Sequence, residues 1–248
     1  MGTPLDLALL DAALPSPARG SFTSRAGGLS PAPYAGLNLA LHVGDDAALV
    51  TANRDRLADA VGLAPRALVF AEQVHGPGVA VVDGPVAGPL PGVDALVTAT
   101  RGLGLCVLAA DCLPVLLADP VAGVVAAAHA GRQGLAAGVL QATLAAMSRL
   151  GARPADTVAA LGPAACGRCY EVPVAMADEV EAAVPGSRGT TRQATASVDL
   201  AAGAEGVLAR AGLLQVNRCG LCTLEQQHLY SYRRDGRTGR HGGVALLS

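Results

Sequence analysis

The stretch GLCVLAADCLPVLLADPVAGVVAAAHAG, residues 104–131, constrains this chain more than any other part of it. It is nearly free of charge and rich in Val, Leu and Ala, the composition of strands buried on both faces. Asp119-Pro120-Val121-Ala122-Gly123 reads as a turn, so the stretch folds back on itself as a hairpin. Inside it sit Asp111, Cys112 and His129, polar groups that a buried sheet carries only at a cost unless they are partnered. The hairpin sets Cys112 and His129 near the same end of neighbouring strands. His75, in EQVHGPG, ends an earlier apolar run at 67–70. Two imidazoles and one thiolate with an open fourth position form the donor set of a catalytic zinc site; structural sites fill all four positions. Taken singly, each residue reads equally well as a polar group satisfied at the core edge. Their shared placement at strand ends favours the metal.

A chain of 248 residues suffices for one large domain or two small ones with a real core. Hydrophobic residues make up 51% and aromatics only 2%, so that core must be built from Ala, Val and Leu. Every basic residue is arginine, and a net charge of −2 leaves no electrostatic footprint for nucleic acid or an anionic membrane. The N-terminus lacks a basic region before an apolar run, and Gly, Pro or Asp interrupts each long apolar run. Neither a signal peptide nor a membrane span is therefore expected, and the cytoplasm is the expected location. Four of the six cysteines form two CxxC pairs, Cys166 with Cys169 and Cys219 with Cys222. That spacing suits a structural zinc site in a reducing compartment, or else free thiols in loops. Cys106, on a buried strand, reads as a small hydrophobe.

Periodicity and punctuation predict an edge strand and loop over 1–20, then short strands joined by long loops over 21–46. A helix is expected over 47–61, capped by Asp45 or Asp46 and stopped by Gly62. Strands are expected at 67–72, 79–82, 94–98, 103–109 and 158–161, with 94–98 and 103–109 opening the central sheet. Leu135, Val139, Leu140, Leu144, Met147 and Leu150 stand at helical spacing and predict one helix over 133–150. Further helices are expected at 174–184 and 199–211 with a mobile polar loop, 187–196, between them. The C-terminus reads as strands at 229–232 and 243–247 around a basic loop at 233–241. Strands outnumber helices and alternate with them irregularly, which points to an α+β fold with mixed sheets.

The segments TSRAGGLS, YAGLNLALHVGDD, NRDRL, EQVHG, DALVT, ADCLPV, AAHAGRQGL, LGPAACGRCYEV and SYRRDGRTGR follow one another between Thr23 and Arg240. In them the chain resembles the YfiH/laccase-domain family, long labelled multicopper polyphenol oxidases and now associated with zinc-dependent purine nucleoside phosphorylase activity. The resemblance implies a single domain over 1–248 with a four-layer α/β/β/α fold. It also implies zinc held by His75, Cys112 and His129, and phosphorolysis of adenosine, inosine, guanosine or methylthioadenosine, with adenosine deamination alongside. This chain departs from the family pattern twice. Arg132 stands where relatives carry Trp after the HAG motif, and the Cys219–Cys222 pair is fuller than the usual Cys-Thr step.

Phosphorolysis needs an anion site, stabilisation of a ribosyl oxocarbenium and help for the departing purine. The planar fork of arginine matches phosphate oxygens. Arg54, within NRDRL, joins Asp111 and Cys112 as the expected catalytic set, and Arg54, Arg233 and Arg240 are the expected phosphate or substrate contacts. Asp111 reads as an acceptor that orients a ligand or as a general base. Asn38 and His42 are candidates for contacts to ribose or base, Asn38 equally for an Asx-turn. Five histidines, His42, His75, His129, His228 and His241, are too few for a blue-copper centre with a trinuclear cluster. Copper in the triad, and any polyphenol oxidation it brought, would be adventitious. The rival readings are a cysteine hydrolase using Cys112 and His129, such as an amidase of peptidoglycan precursors, and an interaction module with a vestigial site. The expected state is a monomer or weak homodimer taking nucleosides and phosphate, without nucleic-acid or membrane partners.

Overall fold

A computed structural model describes residues 7–248, so the part of the predicted edge strand and loop at 1–6 lies outside the described residues. The strands, in chain order, are β1 (Leu9–Asp11), β2 (Ala18–Thr23), β3 (Leu68–Glu72), β4 (Val79–Val81), β5 (Leu90–Pro91), β6 (Ala95–Thr98) and β7 (Gly104–Ala109). They continue with β8 (Leu113–Asp119), β9 (Val124–Ala130), β10 (Val158–Leu161), β11 (Arg188–Thr190), β12 (Ala196–Val198), β13 (Gln215–Arg218) and β14 (His241–Leu247). The helices are α1 (Ala47–Ala60), α2 (Arg132–Ala136), α3 (Val139–Arg149), α4 (Val174–Ala183), α5 (Leu200–Arg210) and α6 (Tyr232–Asp235).

The period of two in β7 to β9 builds the layers. On β9, Val124, Ala126, Ala128 and Ala130 join α3, α4 and α5 in one core. Val125 and Ala127, on the opposite face, pack against Leu105 and Val107 of β7 and Leu96 of β6 in a second core. Cys106 and Leu108 of β7 turn outward onto Leu57 and Ala58 of α1 in a third. The order is thus helix, sheet, sheet, helices. One mixed sheet runs β1-β2-β14-β7-β3-β5 and the other β13-β10-β8-β9-β6-β4. The fold is α+β with four α/β/β/α layers, as the family resemblance implies. Because alternation is strict, His129 shares the inward face with Val125 and Ala127, at the end of β9 beside Pro114 of β8.

The predicted hairpin forms as β8 and β9. Asp119 Oδ1 accepts the N–H groups of Val121 and Ala122 at 2.9 Å each, and Gly123 takes φ 65, a value that favours glycine. Of the two predicted caps, Asp46 is the one used, accepting from Ala48 N at 2.7 Å. Several expectations need correction. Residues 94–98 and 103–109 do not open one sheet: β6 and β7 lie in different sheets. The single helix over 133–150 is two, α2 and α3, because Gly138 at φ 89 breaks it. The polar loop 187–196 carries a small antiparallel pair, β11 with β12. The strand expected at 229–232 is irregular chain leading into α6; Tyr230 is buried there, its hydroxyl donating to Tyr34 O at 2.9 Å. That side chain packs as core without pairing as a strand.

Candidate active site

The two sheets bring the chemistry together where the chain crosses from β7 to β8. Asp111, in the left-handed region at φ 96, and Cys112 form that crossing. His129 is the penultimate residue of β9, and His75, also left-handed at φ 61, follows β3. The donor atoms of His75, Cys112 and His129 lie within 4.8 Å of one another. Cys112 Sγ is 3.8 Å from His75 Nε2, and the two imidazole rings meet edge-on with centroids 4.8 Å apart. Gly131 makes room for this convergence. A Cβ there would stand 2.9 Å from His75 Cδ2 and 3.0 Å from Cys112 Sγ.

Asp94, fully buried at the head of β6, holds the cluster. Its carboxylate accepts the N–H groups of Val74, His75 and Gly76 at 3.1, 2.9 and 2.8 Å. The same carboxylate stands 2.8 Å from His129 Nδ1. With Nδ1–H donating to Asp94, Nε2 of His129 faces the other donors, the carboxylate–histidine arrangement that sets a ligating imidazole. Burial raises the Asp94 pKa, but its hydrogen bonds with His129 and the backbone bring it below the ordinary value. Burial likewise pushes the Cys112 thiol up, yet the His129 charge and hydrogen bonds from both histidines pull it down to about 6. Burial lowers His129, and the Cys112 thiolate and Asp94 outweigh it, raising the imidazole to about 9. These donors fit a divalent ion: one thiolate, two imidazoles, and a fixed tautomer on one of them.

The triad forms the floor of a cavity of about 320 Å³ whose walls include His42, Gln73, Asp111, Tyr170, Tyr232, Arg233 and Arg240. Of the residues singled out in the sequence, His42, Asp111, Arg233 and Arg240 thus line this cavity together with the triad. Asp111 is held on both oxygens, Oδ1 by Thr223 Oγ1 at 2.6 Å and Oδ2 by the Arg233 N–H at 2.6 Å. The Arg233 guanidinium donates to Glu171 O at 2.9 Å and lies 5.0 Å from the Tyr170 ring centroid. Burial lowers both His42 and Arg240, and Arg240 adds to the effect on His42.

Two expected contact residues stand elsewhere. Asn38 is fully buried and is spent on Ala40, Asp45 and the Arg240 N–H, so of its two readings the structure shows the turn-forming one. Arg54 is not among the described residues lining the cavity. Its Nε donates to Leu39 O at 2.8 Å and its guanidinium stacks 3.8 Å over the Phe70 ring, so it braces the loop that carries His42. Asp94, Gln73, Tyr170 and Tyr232 were missed as site residues. For Asp94 the signal was present, an acid opening the apolar run Ala95–Thr98. Arg132, in place of Trp, begins α2 beside the Tyr170 phenol, and its charge acts on that group.

The cysteine pairs also regroup. Cys166, Cys169, Cys222 and Glu225 offer donor atoms within 4.8 Å of one another. Cys219 is outside the set, because its backbone continues β13 by bonding to Leu161 O at 3.0 Å. Neither donor cluster among the described residues carries the imidazoles of a trinuclear copper centre.

The four layers and the His-Cys-His floor define a class, a cavity protein with a metal-ready centre between two sheets. The family described as multi-copper polyphenol oxidoreductase laccase matches residues 19–248, and the chain belongs to that family. A Streptomyces griseus protein named purine nucleoside phosphorylase is 55% identical over 229 residues, covering 92% of this chain and 93% of the relative. A Streptomyces coelicolor protein with the same enzyme name is 53% identical over 227 residues, covering 91% and 94%. The crystal structure of the Bacillus licheniformis hypothetical protein YfiH is 29% identical, with a TM-score of 0.89 over 99% of this chain and 97% of that one. Among the described residues no helix is long and apolar enough to cross a membrane.

Proposed function

We propose that the chain is a zinc-dependent purine nucleoside phosphorylase acting on adenosine, inosine, guanosine and methylthioadenosine, with adenosine deamination at the same site. One observation carries the reading: His75, Cys112 and His129 converge at the floor of a cavity walled by Arg233, Arg240, Tyr170 and Tyr232. The enzyme names of the two Streptomyces relatives support the same reaction class.

In phosphorolysis a phosphate oxygen bonds to C1′ of the ribose while the bond from C1′ to the purine nitrogen breaks, and the base leaves with a proton. Arg233 and Arg240 bind the phosphate dianion, whose proton goes to the departing purine, since arginine donates to two oxygens at once. Tyr170 and Tyr232 offer flat faces for the purine, and His42 a polar contact for base or ribose. Asp111, its oxygens fixed by Thr223 and Arg233, is an acceptor whose negative charge stabilises the oxocarbenium as it develops. His75, Cys112 and His129 hold the zinc, which supplies Lewis-acid charge at the floor of the cavity. Arg54 and Asn38 serve this chemistry as positioning residues for His42 and Arg240.

A second reading, a thiol hydrolase, draws on one observation: the Cys112 sulfur and a His129 ring nitrogen lie within 4.8 Å of each other on the cavity floor, the pairing of a nucleophile with the imidazole that exchanges its proton. The two readings part over phosphate and metal. With inosine as substrate, release of hypoxanthine should require phosphate, stop after dialysis against a strong chelator and return with zinc. Release that continues in metal-free protein, or without phosphate, excludes the phosphorylase reading.

A further inference from the structure

We infer that Cys166, Cys169, Cys222 and Glu225 form a second, structural zinc site that rivets the two loops behind the cavity wall. The inference goes beyond the phosphorylase reading and does not rest on it.

The four donors come from two turns of the same form. In one, Cys169 N and Tyr170 N both donate to Cys166 O at 2.9 Å; in the other, Glu225 N and Gln226 N donate to Cys222 O at 3.1 and 3.0 Å. Each turn thus presents two ligands three residues apart, the spacing that lets two side chains grip one ion. The loops are held in register by backbone bonds, Ala164 N to Leu221 O at 3.3 Å and Thr223 N to Ala164 O at 3.1 Å. Across the gap the Cys166 N–H donates to Cys222 Sγ at 3.4 Å, the contact an anionic sulfur accepts around a metal.

The distances suit tetrahedral zinc. Bonds of about 2.3 Å to sulfur and about 2.0–2.2 Å to oxygen put sulfur and oxygen ligands about 3.5 Å apart. Glu225 Oε1 lies 3.8 Å from Cys166 Sγ and 3.2 Å from Cys169 Sγ, on either side of that value. Three thiolates select zinc over the hard cations. All four positions are filled by protein, the mark of a structural site, whereas the cavity triad leaves one open. Three thiolates and a carboxylate leave net negative charge around the ion. Arg192 lies ready to balance it, with Nη1 3.5 Å from Cys169 Sγ and Nη2 2.5 Å from Glu225 Oε1. Its side chain is about half exposed and the ion pair correspondingly weak, so it yields Oε1 to the metal and stays as an outer neighbour.

The location gives the site a purpose. Cys169 precedes Tyr170 of the cavity wall, and Cys222 precedes Thr223, which holds Asp111. An ion fixing both turns fixes both walls.

X-ray absorption at the zinc edge, with elemental analysis of the same sample, tests this on the wild-type protein. If both sites are filled, the average zinc has about two sulfur neighbours, and if only this cluster is filled, about three. About one sulfur per zinc, the signature of the cavity triad alone, overturns the inference, as does metal-free protein. Cys169→Ser should lose the sulfur-rich zinc while Cys219→Ser keeps it; equal zinc content in the two variants also overturns it. Should Cys169→Ser fail to fold, the wild-type spectrum still decides. In a His75→Ala/Cys112→Ser/His129→Ala variant that keeps the wild-type circular dichroism, one sulfur-rich zinc per chain should remain. Its presence there, with or without phosphorolysis by the wild type, separates this inference from the proposed reaction.

Discussion

Among single residues, Asp94 decides most about the centre. Its carboxylate both stiffens the turn that presents His75 and fixes the proton on His129. The mutual attraction of Cys112 and His129, with Asp94 adding to it on the imidazole, sets the charge state without metal. Cys112 has a depressed pKa, so its thiolate persists above about 6, and His129 has a raised one, so its imidazolium persists below about 9. Between those limits the metal-free protein holds a thiolate–imidazolium pair. Alkylation of Cys112 in metal-free protein should follow a midpoint of about 6, and in Asp94→Asn that midpoint should move up, because the imidazole loses the carboxylate that favours its charge. A wild-type midpoint near that of an ordinary thiol would contradict the geometry. At this scale the sequence was legible where a residue's chemistry is scarce: His75, Cys112 and His129 are rare donors at strand ends. It was not legible for Arg54 and Asn38. Arginine and asparagine bind backbone as readily as ligand, and only coordinates show Arg54 Nε on Leu39 O.

At the level of elements, the junction of β9 with α2 matters most. Gly131 stands between the last strand residue and the first helical turn, and the His75 and Cys112 side chains crowd the space a methyl group would occupy. Gly131→Ala should therefore retain the fold and lose most of its affinity for metal, because His75 and Cys112 must move apart. Metal titration followed by calorimetry, alongside circular dichroism, checks this; unchanged affinity would mean the ligands have slack that the distances deny. Elements with strong local signals were readable, such as α1 with its Asp46 cap and the β8–β9 hairpin with its Asp119 turn. Elements decided by distant contacts were not. Sheet membership of β6 and β7 depends on pairing with β9 and β14, residues far along the chain. The two strands β11 and β12 lie in a polar stretch without periodicity, and Tyr230 is apolar core without strand pairing.

On the scale of the whole molecule, two sheets face each other across a core built mainly of Ala, Val and Leu, and the site lies where the chain crosses between them. The arrangement explains why donor side chains from three separate segments meet: β3 belongs to one sheet, β9 to the other, and the β7–β8 crossing joins them. It also explains why the layered fold could be foreseen from the family resemblance, whereas composition alone reached only a mixed-sheet α+β class. The regrouping of the cysteines, with Glu225 in place of Cys219, belongs to this scale too. Spacing identifies pairs, but the packing of β13 against β10 decides which pair member faces inward. The central claim is that two ring nitrogens and one sulfur surround a single ion at the cavity floor. Anomalous diffraction at the zinc edge from crystals of the holoprotein tests it directly. A peak is expected at bonding distance, about 2.0–2.3 Å, from one ring nitrogen each of His75 and His129 and from Cys112 Sγ. A zinc-loaded crystal with no peak there would contradict it.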